Sequence, residues 1–226
     1  MNIINDFYQT VIYDNRYLFI LEGLKNTLLM AFFAIIIGII IGLIVSVIRN
    51  YHEQTGKLSI LYWLGRTYVT VIRGTPSILQ LMIIYYVIFA QVDINILIVG
   101  TLAFGINSGA YVAEIIRAGL DSVPKGEIEA GKSLGLSYSQ ILFSIIFPPA
   151  FKNALPGLGN ELITLVKETS IGAYIGILEL TKSSDIIASR TYNYFFPLII
   201  IAMIYLCITL FLTKLESYLE RKIIHD

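Results

Sequence analysis

The chain has 226 residues, 56% of them hydrophobic and 14% charged, with a mean hydropathy of +0.75 and no net formal charge. Ordinary globular chains are about a quarter charged, so a soluble domain is excluded and a membrane protein expected. A balanced charge gives no basis for a nucleic-acid partner, and the single cysteine, Cys207, can form no internal disulfide.

The first stretch, 1–22, mixes Asn2, Asp6, Asp14 and Arg16 with aromatics. It lacks the basic start and small-residue cleavage site of a secretory signal and reads as an interfacial lead-in. From Thr27 to Ile48 no residue is charged, which is long enough to span a bilayer. Gly38 and Gly42 lie there at the spacing of close helix packing. Arg49 to Lys57 is a polar connection. Leu58 to Ala90 is too long for one span and is interrupted by Arg66, Arg73 and Gly74-Thr75-Pro76. It reads as an amphipathic lead-in to Arg73, then a span over 76–90 that starts with Thr before Pro in its first turn. Gln91 to Asn95 reads as a turn. The third span, 96–116, carries Asn107, Tyr111 and Glu114 at helical spacing. Glu114 and Arg117 are three apart and can pair, as scaffold for the polar loop beyond them.

A charged, Gly- and Pro-punctuated stretch runs from Asp121 to Ala150. An ordered loop of that length is usually functional. It reads as two short helices at a sharp angle on the membrane surface, with Ala130, Leu134 and Ile141 spaced for one face. Gly135 supplies a turn, and Pro148-Pro149 end whatever helix precedes them. Gly126 to Ser133 also matches the phosphate-binding pattern G-x-x-x-x-G-K-[ST] letter for letter. That pattern needs a buried strand before it and a helix after it. Leu120 to Lys125 holds a proline and two charges, and Glu127 and Glu129 would face the phosphates. The match is read as coincidental.

The fourth span, 158–178, holds Asn160, Glu161, Thr164, Lys167, Glu168, Thr169 and Ser170. On a helix Glu161, Thr164 and Glu168 share a face with Lys167 beside it. Ionisable groups in hydrocarbon point into a protein interior or an aqueous pathway. Two readings stay open. One is a substrate pathway through Asn160, Glu161, Thr164 and Lys167, with Asn107 deeper; the other is charges neutralising neighbours between packed helices. Glu179 to Asn193 reads as polar and exposed, 196–212 as a fifth span, and 213–226 as a charged tail. His52 and His225 lie far apart without companion ligands, so no metal site is expected. No internal repeat is visible, which speaks against a repeat-built secondary transporter.

With five spans, Arg49, Lys57, Arg66, Arg73, Arg117, Lys125, Lys132, Lys152, Lys214, Arg221 and Lys222 fall on one side, and Arg16, Lys25, Lys182 and Arg190 on the other. Lys and Arg collect on the cytoplasmic side, so the central loop and the C-terminus are expected there.

Four spaced motifs carry a family resemblance over roughly 23–216. Glu129-Ala130-Gly131, then Gly135, then Ile145 and Pro148 resemble the "EAA" signature of ATP-binding cassette importer permeases, with Gly131 in place of its second Ala. Tyr111-x-x-Glu114-x-x-Arg117-Ala118-Gly119, Arg73-Gly74-Thr75-Pro76 with Gln80-Leu81, and Gly159-Asn160-Glu161 leading to Lys167-Glu168-Thr169-Ser170 resemble motifs of the polar amino-acid branch. The resemblance implies an all-α integral membrane protein of about five helices, with a coupling loop (117–156) between spans three and four. On this reading residues 1–22, 23–216 and 217–226 are lead-in, transmembrane domain and cytoplasmic tail. It further implies cytoplasmic ATP-binding subunits carrying ATP and Mg, a second permease copy or a sister subunit, and an external substrate-binding protein. Glu129, Ala130, Gly131, Lys132, Ser133, Leu134 and Gly135 would meet the ATPase. The chain itself would catalyse nothing and hold no cofactor. An ion-gradient-driven transporter, an integral ATPase, and an importer of another solute such as a metal or sugar are the alternatives.

Overall fold

The computed structural model describes residues 3–225, which are helical with no strand among them. Met1, Asn2 and Asp226 of the expected lead-in and tail lie outside the described residues, and nothing is described of the His225 side chain. A short helix α1 (Ile3–Phe7), a π turn (Tyr8–Ile12) and a 3-10 turn (Tyr13–Asn15) lead into α2 (Tyr17–Thr55), followed by α3 (Ser59–Gly74) and α4 (Ser77–Ile83). Then come α5 (Ile96–Asp121), α6 (Lys125–Ser133), α7 (Tyr138–Ile141), α8 (Phe147–Glu168), α9 (Leu180–Thr191) and α10 (Phe195–His225).

The uncharged run from Thr27 forms the middle of α2, a helix of 39 residues and so roughly 58 Å long. Gly56, at φ +70°, ends it, donating its N–H to the His52 carbonyl at 2.8 Å. The fold is built on α2 against α5. Gly38 and Gly42 make this possible: a Cβ at Gly38 would lie 2.8 Å from Ser108 Oγ, and one at Gly42 would lie 2.5 Å from Val112 Cγ1. One turn on, Ser46 Oγ donates to the Ala113 carbonyl at 2.8 Å. The facing helix answers with Gly105, Ser108 and Gly109, small residues that let the two backbones approach. Beside this seam Met30, Val99, Phe104 and Leu165 close the main core. The outer faces of α2 and α10 present Phe32, Phe33, Ile40, Leu206 and Phe211, all about half exposed or more. Apolar faces turned outward on helices of this length are lipid-facing. Cys207 lies exposed among them.

Four helical runs are long and apolar enough to cross a membrane: Tyr17–Thr55, Ile96–Asp121, Tyr138–Ile175 and Phe195–Ile223. The span expected over 76–90 is different. Its helix covers Ser77–Ile88, widened to a π turn over its last five residues, and meets α3 at a bend of 112°. Twelve residues rise about 18 Å, short of a hydrocarbon core of about 30 Å, so only the bent pair can count as a fifth crossing. Pro76 is the N-cap rather than the first helical residue, and Thr75 Oγ1 turns back to the Val71 carbonyl at 2.8 Å.

Three further expectations are corrected. Pro148 and Pro149 do not end a helix: a π turn (Leu142–Ile146) carries α7 into α8, and the prolines lie in the first turn of α8 just beyond it. The fourth crossing therefore begins at Tyr138, and α6 alone is a short surface helix. The face of α6 turned inward is Gly131 with the half-buried Ile128, not Ala130 and Leu134, which are exposed. Finally, 179–193 is no exposed connection. Glu179, Leu180, Ser183, Ser184, Ile187 and Ala188 are buried where α9 packs between α2 and α10. Small polar residues let α9 sit that deep: a Cβ at Gly23 of α2 would be 2.7 Å from the Glu179 carbonyl oxygen.

Arg190 lies over the Phe19 ring near one end of α2, while Lys132 donates to Gln54 at the other.

Candidate functional site

The surface helix α6 is set by local chemistry. Pro124 precedes it in extended geometry and Glu127 lies in its first turn, favourable at a helix N-terminus. Its end is a Schellman cap: Leu136 N–H donates to the Gly131 carbonyl at 3.1 Å and Gly135 N–H to Lys132 at 3.0 Å. Gly135 takes φ +76°, a conformation that costs a residue with a Cβ roughly 1–2 kcal/mol. The Gly131 departure from Glu-Ala-Ala also has a cause. Its Cβ would meet Ile145 Cδ1 at 2.7 Å and Ile141 Cγ1 at 3.2 Å, so α6 lies close against the turn that follows α7. Leu120, Val123, Ile141, Leu142 and Ile146 form the small core beneath it.

Of the expected coupling residues, Gly131 is therefore buried, whereas Glu129, Ala130, Lys132, Ser133, Leu134 and Gly135 stand in the open. Leu134, the C-cap of this polar nine-residue helix, is 80% exposed. The loop is also tied to α2. Lys132 Nζ reaches Gln54 Oε1 at 3.0 Å, Tyr138 Oη donates to Asn50 Oδ1 at 2.8 Å, and the Tyr51 and Tyr138 rings meet edge to face at 5.1 Å. α6 and α7 are thus both joined to the last turns of α2. The phosphate-like octet 126–133 lies wholly within α6. It is a helix from end to end and not the loop between a strand and a helix that wraps a phosphate.

Mid-bundle, a row of polar contacts links four helices. Ser108 Oγ donates to Glu161 Oε1 at 2.7 Å, joining α5 to α8. Its neighbour Asn107 donates to Gln80 Oε1 of α4 at 2.8 Å. Gln80 in turn gives its Nε2 to the Ile72 carbonyl (2.8 Å) and Thr75 Oγ1 (2.7 Å), closing the bend between α3 and α4. This gives the Arg73-Gly74-Thr75-Pro76…Gln80 sequence its structural sense. Among the pathway candidates, Glu161 and Asn107 meet this row, Thr164 is half-buried, and Asn160 and Lys167 are exposed. Neither Lys167 nor Glu168 has an opposite charge within 4.0 Å among the described residues.

At the α6 end of the seam, Arg117 clasps Glu114 Oε2 at 2.9 and 3.0 Å and Asp121 at 2.7 Å, the expected scaffold pair. Arg49 and Arg73 approach the same carboxylate from α2 and α3, at 3.5 and 3.6 Å. The sequence named the motif residues but gave no sign that three helices converge there.

Glu179 was missed altogether. It is fully buried and N-caps α9, accepting from the Thr181 and Lys182 N–H groups. Tyr205 Oη of α10 adds a bond at 3.2 Å. Burial pushes its carboxyl up to about 7, against these hydrogen bonds, which pull it down. The sequence held no signal for it, because Glu is not among the side chains that ordinarily cap a helix N-terminus.

Residues 34–225 match the family described as binding-protein-dependent transport system inner membrane component. The arginine transport system permease protein ArtQ of Bacillus subtilis is 39% identical over 91% of this chain and 92% of its own length. The L-cystine transport system permease protein TcyB of the same organism is 36% identical over 89% and 85%. A crystal structure of an amino acid ABC transporter with histidines superposes with a TM-score of 0.85 at 40% identity, over 96% of this chain and 98% of that one.

Proposed function

Since the chain belongs to the family of binding-protein-dependent transport system inner membrane components, and is a multi-pass permease whose ATPase is a separate subunit, we propose that it moves a polar amino acid inward and is driven through α6. The amino-acid cargo rests on relatives whose names specify arginine and cystine systems and on the amino acid transporter structure. The ATP and Mg are held by the cytoplasmic subunits. A second permease subunit completes the pathway, and an external binding protein delivers the cargo. Residues 117–156 carry the coupling, and the C-terminus shares their side of the membrane.

The observation that carries the coupling role is the exposed apolar and charged rim of α6 (Glu129, Ala130, Leu134) on a helix whose opposite face is locked to α7 through Gly131. A helix held from behind and bare in front transmits a push as rigid-body movement. Glu161, with Asn107, Asn160, Thr164 and Lys167, lines the pathway as far as its polar groups can solvate a zwitterion. A carboxylate there attracts the amino group.

Gentle solubilisation from native membranes, affinity capture and reconstitution with the captured ATPase subunit test this. ATP-dependent amino-acid uptake is the expected result. Uptake that follows an ion gradient, with the chain isolated free of any ATPase, overturns it.

A further inference from the structure

The groups around Glu114 enclose a cavity of about 370 Å³ between α2, α3 and α5. This falls within the usual range of small-molecule pockets, about 300–1,000 Å³. Its wall holds three guanidinium groups, Arg49, Arg66 and Arg73, against one carboxylate, Glu114. That carboxylate is already engaged: Glu114 Oε2 takes both short bonds from Arg117, which lies outside the cavity wall. Arg49 and Arg73 reach it only at 3.5 and 3.6 Å, well beyond the 2.7–2.9 Å or so of a charge-assisted hydrogen bond. Arg49 spends its Nε on Glu53. Arg66 has no carboxylate in ion-pair range among the described residues and rests over the Trp63 ring at 5.0 Å. Tyr62 and Thr70 add hydroxyls to the same wall. Guanidinium forks facing a shared space with unspent N–H groups fit a planar oxyanion.

We propose that this cavity binds the carboxylate of the amino-acid cargo, with Arg66 and Arg73 as its ligands and Glu114 holding the site open when cargo is absent. The proposal rests on the amino-acid reading above and adds to it. Glu161 lies near Ser108, about two turns along α5 from Glu114. The pathway so acquires a negative station for the amino group and a positive one for the carboxylate. A phosphate-bearing lipid headgroup offers the same oxyanion chemistry and is the alternative source the test must separate.

The full chain in phosphatidylcholine nanodiscs, whose single tryptophan Trp63 lies against Arg66, gives a reading independent of cargo identity. Acetate is expected to shift Trp63 fluorescence, acetamide to leave it unchanged, and Arg66→Gln to abolish the acetate response. In the complete importer, equilibrium binding of the transported amino acid should weaken by about tenfold or more in Arg66→Gln and Arg73→Gln. Arg66→Lys, which keeps the charge without the planar fork, should fall between wild type and Arg66→Gln. Binding of the decarboxylated amine should be the same in wild type and both Gln variants. Equal losses for acid and amine, or no loss for either, overturn the proposal. So does an acetate response that acidic phosphatidylglycerol suppresses while cargo affinity ignores Arg66. If wild type transports no amino acid while acetate still reports on Arg66, the cargo reading has failed and the oxyanion site has not.

Discussion

The two ends of α2 are finished in opposite ways. Near Gly23, α9 is drawn in until its N-terminus is buried, and the Glu179 carboxylate has both its oxygens directed at donors inside the protein. Near Gln54, α6 lies on the surface, buries one glycine and a half-buried isoleucine, and leaves its polar and apolar tips in the open. Buried polar groups are satisfied because leaving them unpaired is costly. The first end is complete within one chain. The second leaves apolar surface open, an 80% exposed Leu134 above all, which is where the proposed partner would sit. A closed end should respond to mutation through stability, and an open one through partnership.

The largest effect belongs to the seam that joins the ends. Gly42→Leu places a side chain where a Cβ already meets Val112 Cγ1 at 2.5 Å and the Ala113 nitrogen at 2.9 Å. Backbone cannot step aside as a side-chain tip can, so α2 and α5 must separate, at roughly 3 kcal/mol or more. Thermal unfolding in detergent should fall by several degrees, whereas Gly74→Ala, with nothing within 4 Å of its Cβ, should not move. Equal midpoints for the two variants would sink the account of the seam.

At the closed end the test is pH. Unfolded, the Glu179 carboxyl titrates near 4.5; folded, near about 7. The folded chain thus holds this proton more tightly, so this group makes the protein most stable below about 4.5. That contribution is lost as pH rises toward 7 and stays lost above it, by roughly 3 kcal/mol in all. Glu179→Gln keeps an acceptor for the α9 N-terminus without the charge and should flatten the profile between those limits. Midpoints of both proteins across that window decide it; a wild-type midpoint that rises with pH contradicts the assignment.

Sequence reading was most reliable where a single physical rule acts over many residues. The uncharged run of α2, the Gly38–Gly42 spacing and the amphipathic α3 all come from local pattern, and all stand. It failed where partners distant in sequence decide the outcome. Glu179 to Asn193 looks solvated because it is polar, but its burial depends on Gly23 and Tyr205 from other helices. Pro148-Pro149 looks like a stop because the π turn that precedes it has no signature in Leu142 to Ile146. The face of α6 was misassigned because Ala130 and Leu134 are more hydrophobic than Gly131, while the space beneath admits only a glycine. Of the arginine cavity, Arg73 and Glu114 are motif residues and Arg49 and Arg66 read only as positive charges, without the convergence that brings them to one space.

The open end takes the two smallest perturbations of the chain itself. Gly135→Ala strains a residue at φ +76° by roughly 1 kcal/mol and should loosen the Schellman turn without removing the chain from the membrane. Leu134→Ser touches nothing buried, and surface changes of that kind cost less than about 0.5 kcal/mol. Its unfolding midpoint should match wild type, yet capture of the ATPase subunit and ATP-dependent uptake should both fall steeply. The pair of variants separates two roles for α6. If Gly135→Ala impairs transport and Leu134→Ser does not, the turn matters only as architecture and the exposed rim is not the contact. If both impair it at unchanged membrane levels, the exposed surface is the working part. The asymmetry between the ends of α2 is then one between a face finished by its own chain and a face finished by its partner.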